Sequence, residues 1–398
     1  MSAAAPEERS DGDPLMFDEL TEEALRAGGG LKWTHYGPAI GAFVAEMDFG
    51  TAPAVTEALH AAVDGGRLGY LTAAAAADMA RACAAWHERR YGWAVPQEWI
   101  TPLPDVIAGL QATIEHFTAP GSPVVLPTPA YMPFLRVPGA LGRELLQVPM
   151  VERGGRRGYD LDGIARALGG RPGLVVHVNP HNPLGRVFTV EEQLALADVV
   201  QAAGARVFAD EIHAPLVHPG ATHRPYASLS PVTARHTVTA TSASKAWNMP
   251  GLKTAQLILS DEADAAHWSG AGFMYSHGAS TPGVLASTAA YDRGGPWLDG
   301  VLRYLDGNRR LLGDLLAERL PGVRYVPPEG TYLAWLDCRG LGVPGSVGQF
   351  FLEQAGVALV DGPDCGAPGA GHVRLNFATP NHVLVRMVDR MAAAVAAR

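Results

Sequence analysis

Only three of the chain's 31 basic residues are lysine: Lys32, Lys245 and Lys253. Lys245 closes the segment Ser242-Ala243-Ser244-Lys245, and Lys253 closes Pro250-Gly251-Leu252-Lys253. An amine can do what a guanidinium cannot. A desolvated lysine loses its proton and attacks an aldehyde, whereas arginine stays protonated and is a poor nucleophile. In a chain that otherwise uses arginine, a lysine at position 245 reads as a retained nucleophile. Two further polar clusters precede it, Asn179-Pro180-His181-Asn182-Pro183-Leu184-Gly185-Arg186 and Asp210-Glu211-Ile212-His213. Each of the three follows an apolar run. Any one is a weak signal, but three in this order at strand ends are strong, because open α/β sheets bind ligands at the carboxyl ends of their strands.

The elements that must position these clusters are legible as short β-rich runs separated by helical patterns. Strands are expected at 124–127, 144–148, 174–179, 206–212, 237–242 and 254–260. A helix is expected from the capping box Thr189-Val190-Glu191-Glu192 to Ala203. Continuous apolar strands alternating with helices imply a mostly parallel sheet covered on both faces, hence an α/β fold. Farther on, apolar spacing predicts a long helix over 296–320, a strand at 332–336, a helix at 347–355, a strand at 373–377 and a last helix from Asn381. The expected organisation is a disordered leader over 1–29, an arm and part of a small domain over 30–75, a large domain over 76–285 and a small α+β domain over 286–398.

Composition narrows the function classes. A net charge of −9 and a pI near 5.9 argue against a nucleic-acid footprint. No apolar run is long enough for a transmembrane helix, so no membrane partner is expected. Cys83, Cys338 and Cys365 are odd in number and widely spaced, which suggests a reducing compartment, no disulfide framework and no metal site. These features point to the cytoplasm.

Longer motifs complete the picture: Phe43-Val44-Ala45-Glu46-Met47-Asp48-Phe49, Gly69-Tyr70, Pro328-Glu329-Gly330-Thr331-Tyr332-Leu333-Ala334-Trp335 and Arg374-Leu375-Asn376-Phe377-Ala378. With the three clusters above, they make the chain resemble fold-type I pyridoxal-phosphate (PLP) enzymes of the class I/II aminotransferase superfamily. Within it, the resemblance is to the cystathionine β-lyase-like C–S lyases and covers roughly residues 30–398. His213 and Met47-Asp48-Phe49 are the subgroup marks.

The resemblance implies a role for each residue. Lys245 holds the cofactor and later moves a proton at the substrate's α-carbon. Asp210 pairs with the protonated pyridine nitrogen and so keeps the ring electron-accepting. Asn182 bonds the ring 3′-oxygen, His213 supports Asp210 or that oxygen, and Tyr131 stacks on the ring. Val106 and Ile107, at the start of a helix running to about Phe117, bind the phosphate together with Ser242 and Lys253. Arg374 anchors the substrate carboxylate, and Ala45 lines the substrate site. Tyr70 reaches the phosphate of a neighbouring subunit, so a homodimer with shared sites is implied.

The chain departs from the family at several positions. Asp105 stands where a small residue is usual, so its carboxylate is expected to point away from the phosphate. Leu184 replaces a threonine, Glu46 replaces an aspartate, and alanines follow Thr72. These changes bear on the substrate, and a large S-conjugate of secondary metabolism fits them. The expected reaction is β-elimination from an S-substituted cysteine to thiol, pyruvate and ammonia. The alternatives are an aminotransferase, a decarboxylating or oxidatively deaminating enzyme acting on an S-conjugated cysteine, and a non-catalytic regulatory or partner-binding protein.

Overall fold

The computed structural model describes residues 14–398. Its centre is a seven-stranded sheet in the order Ile100–Leu103, Ala255–Leu259, Thr237–Thr241, Arg206–Asp210, Leu174–Val178, Val124–Thr128, Leu145–Pro149. Six of these strands run in one direction, and only Ala255–Leu259 is reversed, pairing antiparallel with both its neighbours. Every residue of the strands at 124, 174, 237 and 255 is buried, as a sheet with both faces covered requires.

All six expected strands of this sheet are present. The strand expected over 206–212 stops at Asp210, because the Asp210 carboxylate turns back to accept the Ile212 N–H at 3.1 Å and ends the extended run. The seventh strand, Ile100–Leu103, was not expected. It carries Pro102, which a sheet tolerates at its edge. A hairpin of Val151–Arg153 and Arg156–Gly158 was also missed. Its turn is Gly154-Gly155, with φ of 58° and 79°, the left-handed conformation that two-residue hairpin turns require.

Beside this sheet lies an antiparallel four-stranded one, ordered Arg324–Tyr325, Leu333–Asp337, His372–Asn376, Val360–Asp361. The 25-residue helix Gly295–Arg319 and the helix Asn381–Ala396 pack together next to it, close to their expected positions. The helix expected over 347–355 is an α-helical turn, Val347–Phe350, followed by a π-helical one, Phe351–Ala355. The alanine run opens a 19-residue helix, Ala73–Tyr91, whose first turn is capped by the Thr72 hydroxyl.

The expected disordered leader needs correction. Residues 1–13 lie outside the described residues, but Pro14–Asp18 and Glu22–Ala27 are helices. Phe17 is buried against Phe49 and Tyr304, and the Asp18 carboxylate accepts the Asn381 N–H at 2.9 Å. Apolar burial and this cap contact hold the segment in place.

The N-terminal arm is pinned to the opposite end of the chain. Ile40–Gly41 pairs in parallel with Val357–Ala358. Lys32, the lysine without a neighbour of its kind, is buried; its amine donates to Asp48 Oδ2 at 2.9 Å and to the Ala378 carbonyl at 3.0 Å.

Candidate active site

The polar clusters gather where the central strands end. Asn179-Pro180-His181-Asn182 follows Leu174–Val178, Asp210 closes its own strand opposite Ala240, and Ser242–Lys245 follows Thr237–Thr241. The second sheet brings Arg374 to the same place, where its Nη1 donates to Asn182 Oδ1 at 3.0 Å.

Lys245 sits half-buried with its Nζ donating to the Ala45 carbonyl at 2.9 Å. Burial lowers the amine's pKa to about 8; Arg374 and Lys253 push it the same way, against Glu46 and Asp210. A tenth or so of such an amine is neutral at pH 7, far more than for a solvent-exposed lysine. An amine with that pKa can act as a nucleophile and as a base.

Asp210 is 5% exposed, and burial raises its carboxyl to about 7 despite the Ile212 N–H bond. It makes no ion pair among the described residues. A protonated ring nitrogen would supply the missing cation. His213 is buried with its Nδ1 unpartnered and its ring edge-on to Tyr332; burial holds it neutral, with a pKa lowered to about 3. Tyr131 lies beside the site, and burial raises its hydroxyl pKa, with Arg374, Asp210 and Asp105 as its charged surroundings.

Arg374 is 2% exposed and has no acidic partner among the described residues. Its bonds go to neutral acceptors, Asn182 and the Phe43 carbonyl at 2.6 Å, and its Nε is unpartnered. A buried guanidinium satisfied in this way is suited to a carboxylate ligand.

The sequence reading missed the residues that hold the arm over this site. Asn376 donates to the carbonyls of Val44 and Glu46, Tyr332 donates to that of Ala45, and Asn248 exchanges hydrogen bonds with the Met47 backbone. Ala45 therefore lines the site through its carbonyl, which Lys245 and Tyr332 share. The available signal was an asparagine closing the buried strand His372–Asn376, two residues after Arg374.

The phosphate corner differs from expectation. Asp105 is engaged with its own helix and with Lys253. It caps the helix Val106–His116 by accepting the Ala108 N–H at 2.9 Å, and its other oxygen pairs with Lys253 Nζ at 3.2 Å. The helix N-terminus and the ammonium neutralise the carboxylate where it stands. The first-turn N–H groups of Val106 and Ile107 are left over by the intrahelical pattern. Ser242 donates its hydroxyl to the Thr254 carbonyl at 2.7 Å and accepts the Ser244 N–H, so its donor is already committed. Tyr70 is 87% exposed and stacks on His277.

With that geometry described, comparison with known proteins gives a family. A model described as aminotransferase class I and II matches residues 43–391. The chain belongs to this family. It is 38% identical to a cystathionine beta-lyase of Corynebacterium glutamicum, over 95% of this chain and 99% of the relative. It is 34% identical to the cystathionine beta-lyase PatB of Bacillus subtilis, over 87% and 91%. A solved structure of a PLP-bound C–S lyase from Staphylococcus hominis superposes with a TM-score of 0.87 at 28% identity, covering 95% of this chain and 98% of that one.

Proposed function

We propose that the protein is a PLP-dependent C–S β-lyase that converts an S-substituted cysteine to a thiol, pyruvate and ammonia. The site residues fit the cofactor at three points: an amine of lowered pKa at Lys245, a buried carboxyl lacking its cation at Asp210, and the first-turn N–H groups of Val106 and Ile107 for the phosphate, beside the Asp105–Lys253 pair. Bound PLP supplies an aldehyde for the substrate amine and an electron sink for the bond broken at the α-carbon.

The protein's own residues do the rest. Arg374, held by Asn182, grips the substrate carboxylate and thereby orients the Cα–H bond toward Lys245. Lys245 would hold the cofactor, and its amine is the base placed to remove the α-proton of the bound substrate. Asp210 would pair with the cofactor's ring nitrogen and keep it protonated. The C–S bond at the β-carbon then breaks with its electrons on sulfur, the thiolate leaves, and water converts the three-carbon remainder to pyruvate and ammonia. The observation that carries the lyase outcome is near-full-length similarity to cystathionine beta-lyases. The geometry of Lys245, Asp210 and Arg374 serves every reaction that begins at Cα–H.

In this reading the working unit is a cytoplasmic homodimer in which Tyr70 completes the partner's phosphate site. Among the described residues no helix is long and apolar enough to cross a membrane. Product analysis with S-alkyl and larger S-conjugated cysteines tests the reaction. Thiol and pyruvate in equal amounts, without an added keto acid, are expected. A strict keto-acid requirement with sulfur retained in the product, or carbon dioxide released in step with turnover, would replace the lyase by an aminotransferase or a decarboxylating enzyme.

A further inference from the structure

A cavity of about 160 Å³ lies behind the substrate anchor, between the hairpin 151–158, the Leu184–Arg186 loop and the four-stranded sheet. It is large enough for a small organic molecule. Trp335 and Arg374 are direct cross-strand partners, so their side chains leave the same face of the sheet. His372, two residues from Arg374, leaves that face too, about 7 Å along the strand. The cavity therefore adjoins the anchor. Its apolar wall is built from Leu184, Val326, Pro327 and Trp335, whose indole lies flat on His372 with ring centres 5.3 Å apart and planes 16° apart.

The charges around the cavity are matched except at one residue. Arg324 pairs with Glu152, Arg156 and Arg186 pair with Glu329, and Asp337 is taken by Arg339. Half-buried Arg157 has no carboxylate within ion-pair distance among the described residues. Its Nη2 instead donates to His372 Nε2 at 3.2 Å. The imidazole tautomer agrees: Nδ1 faces the Ala370 carbonyl at 3.0 Å and must carry the proton, leaving Nε2 to accept. Burial is the main cause lowering the Arg157 pKa, against the carboxylates of Glu152 and Asp337, which lie beyond ion-pair distance.

We propose that this cavity is a second carboxylate site, centred on Arg157 and walled by Trp335 and Leu184. Its ligand is a small carboxylate with an apolar or planar body. The carboxylate can be the distal end of an S-substituted cysteine, which rests on the lyase reading, or a free organic acid, which does not. Leu184, one of the family departures, acquires a role as part of the apolar wall.

Two measurements on the holoenzyme test it. In the first, benzoate binding is followed by calorimetry in the wild type, Arg157→Gln, Arg157→Lys and Arg374→Gln. A binding event that survives Arg374→Gln, weakens about tenfold or more in Arg157→Gln and is partly restored in Arg157→Lys is expected, since a charge-assisted contact is being removed. In the second, kcat/KM for a cysteine thioether ending in a carboxylate is divided by that for its neutral isostere. A ratio that falls about tenfold in Arg157→Gln assigns the site to the substrate, and a constant ratio with lost benzoate binding assigns it to a free acid. Unchanged benzoate binding together with an unchanged ratio overturns the proposal. Absence of thiol from both substrates would refute the lyase reading while leaving the calorimetric test intact.

Discussion

At the scale of single residues, the site is a set of buried groups whose usual counter-charges are missing. Arg374 has carbonyl and amide partners in place of an acid, and Asp210 has a backbone N–H in place of a cation. The convergence of Lys245, Asp210 and Arg374 was readable from the polar motifs that carry them at strand ends, and their proposed roles rest on the family resemblance. The Asp105–Lys253 pair was not readable, because nothing in the spacing says that a carboxylate will fold onto its own helix. Asp210 gives the sharpest test. Its folded pKa of about 7 lies above the ordinary aspartate value near 4. The cofactor-free fold therefore holds a proton that the unfolded chain has released, and this contribution to stability is present below pH 4 and lost as pH rises through 7. Asp210→Asn should flatten that part of the stability–pH curve in cofactor-free protein. In the holoenzyme it should cost about 10²–10³ in kcat, as for other preorganised electrostatic groups. Near wild-type turnover in this variant would remove Asp210 from its assigned role.

At the scale of elements, periodicity found the buried strands and the long helices, since burial on two faces and apolar spacing both leave marks in sequence. It missed an edge strand containing a proline, a hairpin rich in charge, and a helix whose buried face carries several alanines and so leaves little apolar contrast. It also missed the clamp on the arm at residues 43–48. That segment has little regular structure and is held by side chains reaching its backbone from far along the chain. The Lys32–Asp48 pair anchors one end of it in full burial, with Trp33 Nε1 also on Asp48 at 2.8 Å. Removing one member strands the other, which typically costs about 3–5 kcal/mol, whereas replacing both by apolar residues is often tolerated. Asp48→Ala should therefore lower unfolding stability by roughly that amount in urea titration, and Lys32→Met with Asp48→Leu should recover much of it. A loss below about 1 kcal/mol in Asp48→Ala would mean that the arm is held by its backbone contacts alone.

At the scale of the whole molecule, one surface is unlike the rest. Leu68, Tyr70, Phe273 and Met274 are all strongly exposed, at 61%, 87%, 69% and 76%, and the first three border one shallow depression together with His277. Exposed apolar side chains grouped in this way mark an interaction face. The face lies next to the phosphate corner: the Thr281 hydroxyl holds the Gly69 carbonyl, and the neighbouring Ser280 N–H bonds the Lys253 carbonyl. Tyr70 thus stands on an exposed face near Lys253, and in the proposed homodimer this is the face a two-fold related copy would meet. If the copies exchange Tyr70, complementation follows from symmetry. Lys245→Ala and Tyr70→Phe are each expected to be poorly active. In a mixed dimer both lesions fall on one site, and the other site carries neither. Random exchange of subunits should therefore restore about a quarter of the wild-type sites. Activity that never exceeds the sum of the two parents, or a fully active monomer in sedimentation, would confine each active site to a single chain and leave the apolar face to some other partner.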